Sequence, residues 1–104
     1  MINEKLLLEN GYKEYKINEL FYPSANKHFQ KRVRNDKGQT KYFINVLEYG
    51  EKQYQIDLQF EKEQYMMDIQ LFGLNEKMTL EEIEKEVYKI WYELDCKYYD
   101  SEVE

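Results

Sequence analysis

The segment Tyr54-Gln55-Ile56-Asp57-Leu58-Gln59-Phe60 decides how the chain folds. Successive side chains of an extended backbone point to opposite sides, so this alternation gives one apolar face and one wet face. A strand of that kind must bury its apolar side against a second layer. Three similar signals surround it. Residues 29–34 and 41–49 flank Asn35-Asp36-Lys37-Gly38, where Asn and Asp favour the opening of a turn and Gly accepts the positive φ that closes it. Residues 65–72 set Tyr65, Met67, Ile69 and Leu71 on one face. The spacers at 50–52 and 61–64 are short and polar, as antiparallel hairpins require, so a four-stranded meander is expected.

Helices flank this block. Asn3 can cap a short helix over 2–10 with Leu6 and Leu7 on its apolar side, and Asn10-Gly11 marks its end. The following stretch, 12–26, keeps neither period and contains the only proline, Pro23; it reads as a connector with room for one short strand or turn. Towards the other end, Thr79-Leu80-Glu81-Glu82 is a capping box, and Leu80, Ile83, Val87, Ile90, Trp91, Leu94 and Tyr98 form one stripe at three- and four-residue steps. The acidic end, 100–104, is expected to fray. The expected architecture is a single two-layer α+β domain, a four-stranded antiparallel sheet with a short N-terminal and a long C-terminal helix on one face.

Keeping the apolar faces together gives a register, because a one-residue slip turns a strand over. Val46 is expected opposite Tyr54, Ile44 opposite Ile56, Leu58 opposite Met67, and Ile56 opposite Ile69. The helix-free face then displays Arg32, Arg34, Lys41, Phe43, Asp57 and Asp68 among His28, Gln30, Asn45, Gln55, Gln59 and Gln70. Asp57 and Asp68 become direct cross-strand neighbours, as do Arg32 and Lys41. Like charges so placed repel unless they are screened by solvent or matched by a partner. A bulge in the first hairpin would alter the second of these pairs.

At 104 residues the chain is long enough for one core and too short for two. Aromatic residues make up 16% of it, too many for a disordered chain. The net charge is -6, yet residues 27–41 hold Lys27, Lys31, Arg32, Arg34, Lys37 and Lys41 against the single acid Asp36. An acidic body disfavours sequence-independent attraction to nucleic acid or anionic lipid everywhere except at that hairpin. No apolar run reaches the roughly 20 residues of a membrane span. With no signal peptide or lipidation pattern, and with Cys96 alone and unable to form an internal disulfide, a cytoplasmic location is the expectation.

Catalytic signatures are sparse. His28 and Cys96 are the only imidazole and thiol, and they fall on a strand and at the end of the last helix. An ordinary polar His and a structural Cys are the plainer readings. The chain has no zinc ligand set, phosphate loop, dinucleotide glycine pattern or calcium loop. Asp57 and Asp68 would need further ligands and a pocket to hold Mg²⁺ or do acid–base work. No enzymatic activity, metal or cofactor is expected.

Binding is the better class. Arg32, Arg34, Lys41, Phe43, Asp57 and Asp68 make a bipolar surface suited to a protein partner of mixed charge. The alternative is a single-stranded nucleic acid, with hairpin 27–41 on phosphates and Phe43 stacked on a base. The acidic last helix and tail could instead imitate a phosphate backbone, and the pattern leaves room for a homodimer.

Phe29-Gln30-Lys31-Arg32-Val33, Asp36-Lys37-Gly38 and Lys41-Tyr42-Phe43-Ile44-Asn45-Val46 resemble a pattern in small accessory proteins carried by phages and prophages of low-GC Gram-positive bacteria. The likeness covers mainly this hairpin, with looser support from the opening helix and Gly11-Tyr12. It carries over no catalytic residue. It implies a phage or prophage setting rather than an activity. Small phage proteins of this size often bind a host or phage protein, including defence components, so a modulator or inhibitor acting by stoichiometric binding is the expectation.

Overall fold

Side-chain caps start both helices where the sequence puts them. Asn3 accepts a hydrogen bond from the Leu6 amide at 2.8 Å and opens α1 (Glu4–Glu9), which ends at Asn10 as Gly11 takes a φ of +89°. The second helix, α2 (Leu80–Trp91), begins with a reciprocal box. The Glu82 amide donates to the Thr79 hydroxyl at 3.1 Å, and the Thr79 amide donates to the Glu82 carboxylate at 3.0 Å. The computed structural model describes residues 2–50 and 52–96, and side chains as far as 95. The expected fraying of 100–104, the place of Tyr98 in the helix stripe and the burial of Cys96 lie outside that range.

Among the described residues five strands, not four, form the sheet. They are β1 (Lys13–Tyr15), β2 (Lys27–Arg34), β3 (Thr40–Tyr49), β4 (Gln53–Lys62) and β5 (Tyr65–Gln70), and their spatial order is their chain order. Every neighbouring pair is antiparallel. The added strand is β1, within the connector, where Gly11 swings the chain back from α1 so that Glu14 pairs with Phe29. Three residues are too few for an alternation to be read from sequence.

One core lies between the sheet and the helices. Phe29, Tyr42, Ile44, Val46, Tyr54, Ile56, Leu58 and Phe60 from the sheet pack with Leu7 of α1 and with Leu80, Ile83, Val87 and Trp91 of α2. Burying a Leu, Ile or Phe side chain of this kind contributes about 1.5–3 kcal/mol, which is what holds helices this short in place. Beyond Trp91 the helix widens into a π-helical turn (Tyr92–Cys96). The change of pitch carries Leu94 off the buried stripe, and it is exposed. The helices leave β5 largely uncovered, so Met67 is exposed where it was expected in the floor.

The register differs from expectation by two residues in the β3–β4 and β4–β5 hairpins, and Arg32 is likewise displaced in the β2–β3 hairpin. Val46 faces Ile56, Ile44 faces Leu58, Leu58 faces Ile69 and Phe60 faces Met67. The turns set this. Tyr49 faces Gln53 across 50–52, where Gly50 and Lys52 have φ of +51° and +57°. Lys62 faces Tyr65 across a two-residue turn in which Glu63 and Gln64 have φ of +52° and +72°. Positive φ at both central residues is the type I′ hairpin geometry. Two non-glycine residues there cost on the order of 1 kcal/mol each, and the segment carries no Asn-Gly to announce it.

The first hairpin turns as its residues dictate. Asn35 Oδ1 accepts from the Lys37 and Gln39 amides, each at 2.9 Å, and Gly38 has a φ of +81°. Above it, Val33 faces Tyr42 but Arg34 faces Thr40, so Lys41 is the extra residue of a β-bulge.

Candidate interaction surface

The side of the sheet away from the helices divides into a closed half and an open half. In the closed half a chain of amides runs across β2, β3 and β4. Asn45, fully buried, accepts at Oδ1 from His28 Nε2 at 2.7 Å and from Gln30 Nε2 at 3.0 Å, and donates through Nδ2 to Gln59 Oε1 at 2.8 Å. A carbonyl oxygen only accepts, so the His28 proton is on Nε2. Each polar atom of Asn45 finds a partner, which is the condition for burying an amide without loss.

The connector closes this half. Its 18–22 turn is fixed by the Tyr22 amide on the Asn18 carbonyl at 2.8 Å. The Tyr22 ring then lies 5.4 Å from that of His28, and its hydroxyl donates to Asp68 at 3.2 Å. Tyr22 thereby links β2 to β5 over the face, and Leu47 beneath is fully buried. Leu20 and Phe21, at the tip of the same turn, remain 91% and 75% exposed.

Asp57 is the charged group under this cover, only 4% exposed. It accepts from Gln55 Nε2 at 2.9 Å. Burial pushes its carboxyl up to about 6, the nearby Asp68 carboxylate adds to the rise, and the Gln55 amide opposes it. Burial also raises the Tyr22 phenol above its ordinary range, with Asp68 and Asp57 adding to the effect.

The open half is basic, but only part of the hairpin's positive charge lies in it. Lys27 pairs with Glu4 at 2.7 Å. Lys31 pairs with Glu84 of α2 at 3.0 Å, beside the buried Tyr12, whose hydroxyl donates to the same carboxylate at 2.9 Å. Lys41, turned by the bulge, puts its ammonium 5.7 Å and 5.6 Å from the ring centres of Tyr88 and Trp91 on the helix side. Three of the six basic residues of the hairpin are therefore used inside the fold.

Arg32 and Arg34 make no ion pair among the described residues. Together with Lys13 of β1 they line a hollow of about 300 Å³, completed by Gly11, Tyr15 and Gln30. Among the described residues, no carboxylate lies within salt-bridge distance of Lys13, Arg32 or Arg34. The Arg32 guanidinium lies 5.3 Å from the centre of the Phe43 ring, directly across from it in the register. The guanidinium thus lies over the ring of a half-buried Phe43.

The expected surface is thus split. Arg32, Arg34 and Phe43 stand together at the open end. Lys41 is on the other side, so the expected Arg32–Lys41 pair is replaced by Arg32 facing Phe43, because the bulge takes Lys41 out of the alternation. Asp57 faces Gln70 and Asp68 faces Gln59, so the expected direct Asp57–Asp68 pairing is displaced by the two-residue shift, although the carboxyls remain close enough to interact. Lys13, Tyr15 and Tyr22 escaped the sequence reading. Lys13-Glu14-Tyr15 does alternate, and that is the faint signal for the first two; Tyr22 gives none.

No helix among the described residues is long and apolar enough to cross a membrane, and no three His, Cys, Asp or Glu side chains among them gather as a metal site would need. No protein-family model, curated protein or solved structure matches the chain.

Proposed function

We propose that the chain is a non-enzymatic interaction protein that receives an acidic segment of a partner protein at Lys13, Arg32 and Arg34. One observation carries this reading: in a chain of net charge -6, these three cations surround one hollow with no acid of their own among the described residues. Guanidinium groups form bidentate bonds with carboxylates, and Arg32, held against Phe43, loses less freedom on binding than a loose side chain would. Lys41 and Asp57 are engaged within the fold and leave the contact set; Asp68 stays at its margin, held by Tyr22. The resemblance of the hairpin to phage accessory proteins supports a modulator of a host or defence protein as the setting.

Affinity capture from a bacterial lysate tests the proposal. The native chain is expected to recover one stoichiometric protein, and Arg32→Glu with Arg34→Glu is expected to release it. Retention of that protein by the doubly reversed chain would refute the proposed contact set.

Single-stranded nucleic acid is the second reading, favoured by the same cations. It asks Phe43 to stack on a base, yet Arg32 already covers that ring. Three phosphate contacts would give a salt slope of about -2, so absence of oligonucleotide binding at low salt removes this reading.

A further inference from the structure

Among the described residues the sheet has two free edges, and they differ in kind. β1 offers three residues, and Lys13 beside Arg32 and Arg34 charges its surroundings. β5 offers six residues whose only charge is Asp68, with no proline and no lysine, the usual devices that keep an edge unpaired. Its side chains are uncovered: Tyr65 is 74% exposed, Met66 53%, Met67 41%, and Phe72 just beyond it 83%.

The backbone direction of β5 is fixed. The Leu71 amide donates to the Ile56 carbonyl at 2.9 Å, and Lys62 faces Tyr65 across the two-residue turn. By alternation, Tyr65, Met67 and Ile69 turn their N–H and C=O groups to β4, while Met66, Asp68 and Gln70 turn theirs outward. Those outward groups are complementary to an extended strand.

We infer that the occupant is a second copy of this chain, paired antiparallel along β5 about a two-fold axis at Met67, so that two sheets become one. Only registers that bring outward groups face to face allow hydrogen bonding. Centring the axis on Asp68 opposes two carboxylates. Centring it on Met67 places Met66 opposite Asp68 of the second copy and separates the charges. It also lines up Tyr65 with Ile69 and Met67 with its own equivalent, an all-apolar row on the helix side that joins the strip α2 leaves bare. A two-fold pairing of this kind closes at two copies and uses each edge once.

Sedimentation equilibrium of the native chain across the micromolar range is expected to show a dimer. Met66→Pro removes an outward N–H without touching the ladder to β4, and is expected to give a folded monomer, with circular dichroism reporting the fold. In a Cys96→Ser background, Met67→Cys is expected to oxidise to a covalent dimer, since opposed residues of a non-hydrogen-bonded pair lie within disulfide reach. Asp68→Cys in the same background should not. This cross-link decides the matter even if Met66→Pro fails to fold. A native chain that stays monomeric, leaving the edge to an extended segment of another protein, overturns the inference; so does a dimer cross-linked at 68 and not at 67.

Discussion

The closed and open halves of the helix-free face use similar residues to opposite ends. Around Asn45 and Tyr22, amides, a histidine, a phenol and two carboxylates each find a hydrogen-bond partner within the cluster, beneath a strap of chain. Around Lys13, Arg32 and Arg34, charge of a single sign gathers at the surface with no internal acid among the described residues. A polar cluster whose bonds close on themselves contributes to the fold, whereas one whose charges stay open contributes to binding. Polarity alone does not distinguish them; the partners do.

Removing the centre of the closed half should have the largest effect. Asn45→Ala strands His28, Gln30 and Gln59 beneath the sheet face, and about 2–4 kcal/mol of stability should be lost in urea denaturation. A loss near zero would mean that this network is ornament.

Asp57→Asn should act in the other direction. The folded carboxyl is raised to about 6 from an ordinary 3.8, so near neutral pH its charge is carried into the fold at a cost. As pH falls from about 6 towards 4 the folded chain takes up a proton that the unfolded chain does not, and stability rises; below that window both states are protonated and the gain stops. At pH 7 the substitution should therefore stabilise by about 2 kcal/mol, and never more than about 3, with the advantage fading as pH falls through the window. A destabilised Asp57→Asn at neutral pH would contradict the buried charge.

Loosening the strap is a smaller change. Tyr22→Phe keeps the ring against His28 and removes the hydroxyl from Asp68, which should cost about 1 kcal/mol by the same denaturation. In the open half, Arg34→Gln should leave stability within about 0.5 kcal/mol of native, since an exposed side chain without an ion pair contributes little. If Arg34 proved as costly as Tyr22, the division between the halves would fail.

Much of this is legible in the sequence. The alternation from Tyr54 to Phe60, the Asn3 cap, the Thr79–Glu82 box and the Asn35 turn each report a local requirement, and each is where local chemistry put it. The register was not, because a shift of two residues leaves every side chain on its own face and hydrophobic pattern cannot sense it. Glu63 and Gln64 set it through a backbone shape their side chains do not advertise. Lys41 was misplaced because one bulge residue reverses its direction. Asp57 looked exposed because its cover, Tyr22, arrives from 35 positions away in an unpatterned stretch. Of the candidate surface, the part that survives in one place is Arg32, Arg34 and Phe43, residues tied to one hairpin and so readable from it.

The most direct test compares three proteins in one capture experiment: the native chain, Asp57→Asn, and Arg32→Glu with Arg34→Glu. A stoichiometric protein partner should be recovered by the first two at equal yield and lost from the third, with melting curves showing all three folded. Equal recovery by the third, or loss from Asp57→Asn alone, would contradict the assignment of binding to the open half.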